Sequence, residues 1–193
     1  MELTDHELMG LCRHGDAAAF ERLMRRWEAP VGRVLVRLLG ARGPVEDLSQ
    51  EVFLRVFSAR SRYRPSASFS TWLYRIVLNV FRDTLRRQRL RRWQLFGADG
   101  SGAELGGASG EASPSEALGR EELRQRVEVA LRQLGEKLRE VVVLKHYGEL
   151  TFDEISEVTG LPPSTVKYRV GRGLEKLAVE LRRLGIDEKD LGS

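Results

Sequence analysis

Apolar residues along the chain recur at steps of three and four, and no stretch alternates as a half-buried strand would. This pattern predicts an all-α fold with four or so helices on each side of one interruption. Thr4-x-x-Glu7 has capping-box spacing ahead of Leu8 and Leu11. Asp16 is placed to cap a second helix with Phe20, Leu23 and Trp27 on one face. Pro30 predicts a kink or break, beyond which Val31, Val34, Leu35 and Leu38 continue the stripe. Residues 40–44 read as a turn, and 45–57 as a third helix with Leu48, Val52 and Val56 inward. Residues 63–70 read as a loop fixed by Pro65. A long helix over about 71–93 then buries Leu73, Ile76, Val77 and Val80.

The interruption follows. Residues 97–119 hold seven Gly together with Ser and Pro114, and only Leu105 and Leu118 are large and apolar. Such a stretch buries too little surface to offset its ordering entropy, which predicts a flexible linker between two small domains. Beyond it, Leu123, Val127, Leu131 and Leu134 mark one helix, and Leu138, Val141, Val142 and Leu144 the next. Thr151-Phe-Asp-Glu154 is a second capping box, opening a short helix with Ile155 and Val158. Residues 159–162 form a turn, Pro163 suits the first position of a final helix, and Val166, Val170, Leu174 and Leu177 are that helix's apolar face.

Composition narrows the class. The 193 residues are 41% hydrophobic and 31% charged, as in a folded soluble chain, and no apolar run is long enough to span a membrane. The N-terminus, Met1-Glu-Leu-Thr-Asp5, has no basic region followed by an apolar stretch, so no secretory signal is visible and the expected location is cytoplasmic. One cysteine, Cys12, excludes an internal disulfide and any multi-cysteine metal site. His6, His14 and His146 form no ligand pattern, and no phosphate loop or nucleophile elbow is present, so neither a cofactor nor an enzyme activity is expected.

Charge changes the picture more. The net charge is only +4, but residues 60–93 hold ten Arg and one acid, Asp83, while residues 94–119 hold four acids and no base. A concentrated basic block implies an anionic partner, nucleic acid before acidic lipid. On the long helix, Arg75, Asn79, Arg82, Arg86 and Arg89 form one stripe opposite the apolar face. The stripe suits a phosphate backbone, with Asn79 placed to bond a base; the alternative is a solvated face with no partner. Trp72 and Phe69 read either as wedges against unstacked bases or as core. On the third helix, Asp47, Gln50, Glu51 and Leu54 share a face that suits a basic protein partner or, equally, simple solvation with pairing to Arg55. The last two helices have helix-turn-helix form. In the second of them Ser164, Tyr168, Gly171 and Arg172 lie opposite the apolar side, with Lys167 and Arg169 flanking, as a helix entering a major groove requires.

These segments together resemble the extracytoplasmic-function (ECF) group of bacterial RNA polymerase sigma factors, in the sigma-70 family. The matching residues are Gly15-Asp16 with Phe20-Glu-Arg-Leu23, the run Val45-Glu-Asp-Leu-Ser-Gln-Glu-Val-Phe-Leu-Arg-Val-Phe57, Phe69-Ser-Thr-Trp-Leu-Tyr-Arg-Ile76 with Asn79, and Gly160-Leu-Pro-Pro-Ser-Thr-Val-Lys-Tyr-Arg-Val170 with Arg172. The resemblance implies a sigma region 2 domain over 1–94, a flexible acidic linker over 95–117, a sigma region 4 domain over 118–185 and a tail over 186–193. It implies that Asp47, Gln50, Glu51 and Leu54 dock on the clamp helices of the polymerase's largest subunit, and that region 4 meets the flap. Arg62, Phe69, Arg75, Asn79, Arg82 and Arg86 would recognise and help melt the minus-10 element. Ser164, Thr165, Lys167, Tyr168, Arg169 and Arg172 would read the minus-35 element. The linker would thread toward the active-site cleft, and an anti-sigma factor would mask these surfaces. The chain departs from the family at Leu134-Gly135, where Leu-Pro is usual, and at Tyr168 and Gly171, which leaves its minus-35 sequence open. A stand-alone helix-turn-helix repressor or activator is the second reading. It accounts for the C-terminal half but not for the basic stripe or the acidic face. A membrane-surface protein is the third, but the apolar face of the basic helix is needed for the core.

Overall fold

The structure, a computed structural model, describes residues 2–40, 43–64, 68–96 and 116–186. Among them there is no strand. Eight α-helices follow in order: α1 (Asp5–Arg13), α2 (Ala17–Leu39), α3 (Val45–Ala59), α4 (Phe69–Phe96), α5 (Glu116–Gln133), α6 (Glu136–His146), α7 (Phe152–Thr159) and α8 (Pro163–Arg183), with a 3-10 turn at Arg60–Arg62. Residues 97–115, the bulk of the expected linker, lie outside the described residues, as do 187–193 of the tail.

The helix starts follow the sequence signals. Thr4 and Thr151 each accept from the backbone N–H three residues on, and Glu7 and Glu154 reach back to the cap backbone, so both capping boxes form. Asp16 Oδ1 accepts from Ala19 N at 3.0 Å and opens α2. Gly160 ends α7 at φ 74°, a left-handed position that Gly occupies without the clash a Cβ would bring. Pro163 stands at the first turn of α8, where its missing N–H costs nothing.

Two local expectations are corrected. Pro30 does not break its helix: α2 runs unbroken through it. Ala19, Leu23, Val31, Val34, Leu35 and Leu38 are buried on both sides of Pro30, and burying that stripe outweighs one missing backbone bond. On α8, Val166 and Val170 are buried but Leu174 is 37% exposed. Gly173 takes the inward place instead, and an added Cβ there would lie 2.4 Å from Val142 Cγ2. The absent side chain lets α8 approach α6 closely.

Helices α1 to α4 pack in sequence, and α5, α6 and α7 each pack on α8. Cys12, on the inner face of α1, is buried, and burial pushes its thiol above the ordinary value. The two helical groups are not held apart: α4 lies on α7, and α2 on α5 and α6. Buried side chains of both groups join in one hydrophobic cluster that extends from Leu8 to Val170.

Candidate nucleic-acid interface

Three surfaces follow from this packing. The first is on α3. Leu48, Val52 and Val56 are buried, which turns Asp47, Gln50 and Leu54 outward, with Leu54 66% exposed. Glu51 is half-buried and held by Arg55 at 2.5 Å and Arg87 at 3.3 Å; Arg55 also reaches Asp83 at 3.0 Å. Asp47, Gln50 and Leu54 are therefore the accessible members of the face, and Glu51 belongs partly to an ion-pair network. Phe57, one turn beyond Leu54, is also exposed, with the Arg60 guanidinium 3.7 Å from its ring centre. The sequence reading placed Phe57 in the motif but assigned it no surface role. Its position three residues after Leu54 is the signal that marks it.

The second surface is α4 and the loop before it. Arg62, Arg75, Asn79, Arg82 and Arg86 are exposed, and Leu73, Val77 and Val80 are buried opposite. Phe69 departs from the minus-10 set. It is 3% exposed, its ring 5.5 Å from Trp27, 6.0 Å from Tyr63 and 5.8 Å from Trp72. A ring packed against three others, edge-on to Tyr63 and tilted to Trp27 and Trp72, and almost wholly out of solvent, is core in this arrangement. Trp72 is half-buried in the same cluster, against Tyr63 at 4.9 Å. Burial pushes the Tyr63 hydroxyl up to about 12, so it stays neutral and bonds His6 Nδ1. The aromatic cluster packs as core at the start of α4 rather than as a set of wedges.

Most of the basic stripe has partners in the C-terminal half. Arg82 forks onto Glu140 through Nε at 2.9 Å and Nη2 at 2.7 Å, and this bonding, against the effect of burial, raises the guanidinium above its ordinary value. Arg75 Nη2 donates to the Glu157 carbonyl at 2.9 Å, and Arg89 pairs with Glu136. Arg86 pairs only locally, with Asp83 at 3.1 Å. At the start of α4, the Ser68 and Thr71 hydroxyls donate to Glu154 Oε1 at 2.9 and 3.3 Å. Burial would raise the Glu154 carboxyl, but these bonds and those from Thr151 hold it below the usual range.

The third surface is α8. With Val166 and Val170 buried, Ser164, Lys167, Tyr168 and Arg172 are exposed, Tyr168 at 71%. Thr165 and Arg169 are half-buried, and Arg169 turns toward a cleft shared with Arg82, Arg86, Arg89 and Glu136. Arg172 pairs with Glu175 at 2.8 Å, a surface bond that a stronger acceptor can displace. Among the described residues no group of His, Cys, Asp and Glu is arranged to hold a metal ion, and no helix is long and apolar enough to cross a membrane.

Comparison with known proteins agrees with this geometry. The family model described as Sigma-70 region 2 matches residues 23–91, and that described as Sigma-70, region 4 matches residues 124–177. The chain is 30% identical to the ECF RNA polymerase sigma factor SigW of Bacillus subtilis (strain 168), over 95% of this chain and all of that one. It is 32% identical to the ECF RNA polymerase sigma-E factor of Escherichia coli (strain K12), over 91% of this chain and 93% of that one. Among solved structures it is similar to CnrH, determined in complex with the cytosolic domain of CnrY, with a TM-score of 0.68 and 26% identity over 93% of this chain and 97% of that one.

Proposed function

The chain belongs to the ECF group of the sigma-70 family of RNA polymerase sigma factors, and from that premise we propose how its surfaces divide the work. As a sigma factor it binds core RNA polymerase and directs initiation at promoters. Residues 1–94 act as the region 2 domain and residues 118–185 as the region 4 domain, with the acidic stretch between them running toward the active-site cleft. Asp47, Gln50 and Leu54, with Phe57 beside them, meet the polymerase clamp helices; Glu51 supports that face through Arg55 and Arg87. Arg62, Arg75, Asn79, Arg82 and Arg86 meet the minus-10 region, cations along phosphates and Asn79 at a base. Phe69 shapes the loop from beneath. Ser164, Thr165, Lys167, Tyr168, Arg169 and Arg172 meet the minus-35 element in the major groove. The chain works by binding and positioning, without catalysis of its own. A protein regulator, an anti-sigma factor, controls it; CnrH, to which this fold is similar, was solved with another protein bound.

The observation that carries this reading is the division of α8. Its apolar residues Val166 and Val170 are spent on the domain, and its polar side, crowned by Tyr168, is free for a groove. The test is transcription by reconstituted holoenzyme from a library randomised at both promoter elements. A two-block motif recovered only with both chain and polymerase is the expected result. Duplex binding by the chain alone, with no redirection of polymerase, would establish the repressor reading instead.

A further inference from the structure

At α4, α6 and α8 the seam between the two helical groups opens into a cleft of about 440 Å³. Small-molecule sites run to about 300–1,000 Å³, so this cleft has room for more than a single ion. Its lining draws cations from three helices: Arg82, Arg86 and Arg89 of α4, Lys137 of α6 and Arg169 of α8. Two carboxylates, Glu136 and Glu140, share the lining, which leaves an excess of three positive charges. Both carboxylates are engaged. Glu140 has its two oxygens on Arg82, and Glu136 is on Arg89. Arg86 reaches only Asp83, at 3.1 Å, a carboxylate that Arg55 already holds through both terminal nitrogens at 3.0 Å. Lys137 and Arg169 have no acid partner among the described residues. Like charges gathered in one cleft repel each other, and an anion between them removes that cost. α6 also begins here, with Glu136 and Lys137 in its first turn, and Gly135 before them supplies no side-chain cap. The partial positive charge of an uncapped helix start adds to that of the side chains. Leu85 and Leu161, both half-buried, give the cleft an apolar wall that a bare ion does not need.

We propose that this cleft binds a small polyphosphate, an anion of two or more linked phosphate groups, inorganic or carried on a nucleoside. A single phosphate brings only about two negative charges, fewer than the excess in the cleft. Arg86, Lys137 and Arg169 are the cations left to hold phosphate oxygens, the guanidinium groups as forks and the ammonium as a point charge. Arg82 and Arg89 stay on their carboxylates and frame the site. Arg86 and Arg169 are also assigned to the two promoter elements, so the anion and promoter DNA exclude each other at these residues. That consequence rests on the assignment above; the site itself does not.

Lys137 belongs to neither promoter set and not to the α3 face, and its side chain is exposed. Lys137→Glu is therefore the test variant, with Lys137→Gln beside it as the milder change. Lys176→Glu makes the same charge reversal at an exposed position of α8 outside the cleft. Each full-length chain is titrated calorimetrically with inorganic tripolyphosphate and with adenosine triphosphate, without divalent ions and at fixed ionic strength. Circular dichroism confirms that each is helical. The expected result is saturation at one anion per chain, with binding about tenfold weaker in Lys137→Glu, a smaller loss in Lys137→Gln and parent affinity in Lys176→Glu. Tighter binding of the nucleotide than of tripolyphosphate assigns the apolar wall to a nucleoside, and equal binding assigns the site to the phosphate chain alone. Equal weakening by Lys137→Glu and Lys176→Glu, or a titration that does not saturate at one per chain, marks diffuse attraction to a basic chain and overturns the site. No binding overturns it as well. The promoter assignments stand in either case, since none of these variants touches them.

Discussion

Tyr168 is the residue whose character is most its own. Its ring is largely in solvent on the groove side of α8, and Gly171 beside it leaves open space where a Cβ would meet nothing within 4 Å. A rigid side chain next to a vacancy reaches farther than a small polar residue does. Tyr168→Ser is expected to change base preference at the minus-35 element, and Lys167→Ala to lower affinity evenly across sequences, as a phosphate contact does. Binding to randomised minus-35 duplexes with the minus-10 element held fixed checks both; an unchanged preference profile for Tyr168→Ser would show that Tyr168 does not read sequence. Gly173 sits on the opposite side of the same helix and works by absence. Gly173→Ala forces a methyl against Val142 and is expected to cost about 1–3 kcal/mol of stability, read as a lower melting temperature.

At the scale of elements, the two capped helices make the sharpest prediction. Thr151→Ala removes the α7 cap and is expected to cost about 1 kcal/mol. The Glu154 carboxyl is held below its unfolded value, so its contribution is full above the unfolded value and is lost as pH falls through the lowered folded one. Glu154→Gln is therefore expected to flatten the acid limb of the stability profile below about pH 4.5, where the parent steepens; chemical unfolding across acidic pH measures this. On α3, Asp47→Arg and Leu54→Ala are expected to weaken core polymerase binding with helicity unchanged, whereas Glu51→Arg also disturbs Arg55 and Arg87 and lowers stability. These elements were legible in the sequence because caps, apolar spacing and the Pro163 start are settled within a turn or two. Pro30 and Gly173 were not. A proline's effect depends on how much stripe lies on either side of it, and a glycine shows as a gap on a helical wheel until a neighbouring helix fills that gap.

The whole molecule holds what the sequence concealed. Glu128 and Glu140, acids that no motif in the sequence singles out, are buried against Arg37 and Arg82, partners 91 and 58 residues away. Nothing local marks an acid as destined for such a pair, and the glycine-rich stretch between the halves suggested independence. Because the two helical groups share one cluster of buried side chains, the chain is expected to unfold in a single calorimetric transition, and Arg37→Glu to split it in two. One repeated motif gives this architecture an internal reference. Thr4-x-x-Glu7 and Thr151-x-x-Glu154 are the same cap, and both glutamates are held low by it, but only Glu154 also takes hydroxyls from across the seam. Carboxyl chemical shifts followed through a titration would thus carry sample and standard in one spectrum. A drift at Glu154 with Glu7 stationary would report separation of the halves, and a drift at both would report fraying or solvent, with no label attached.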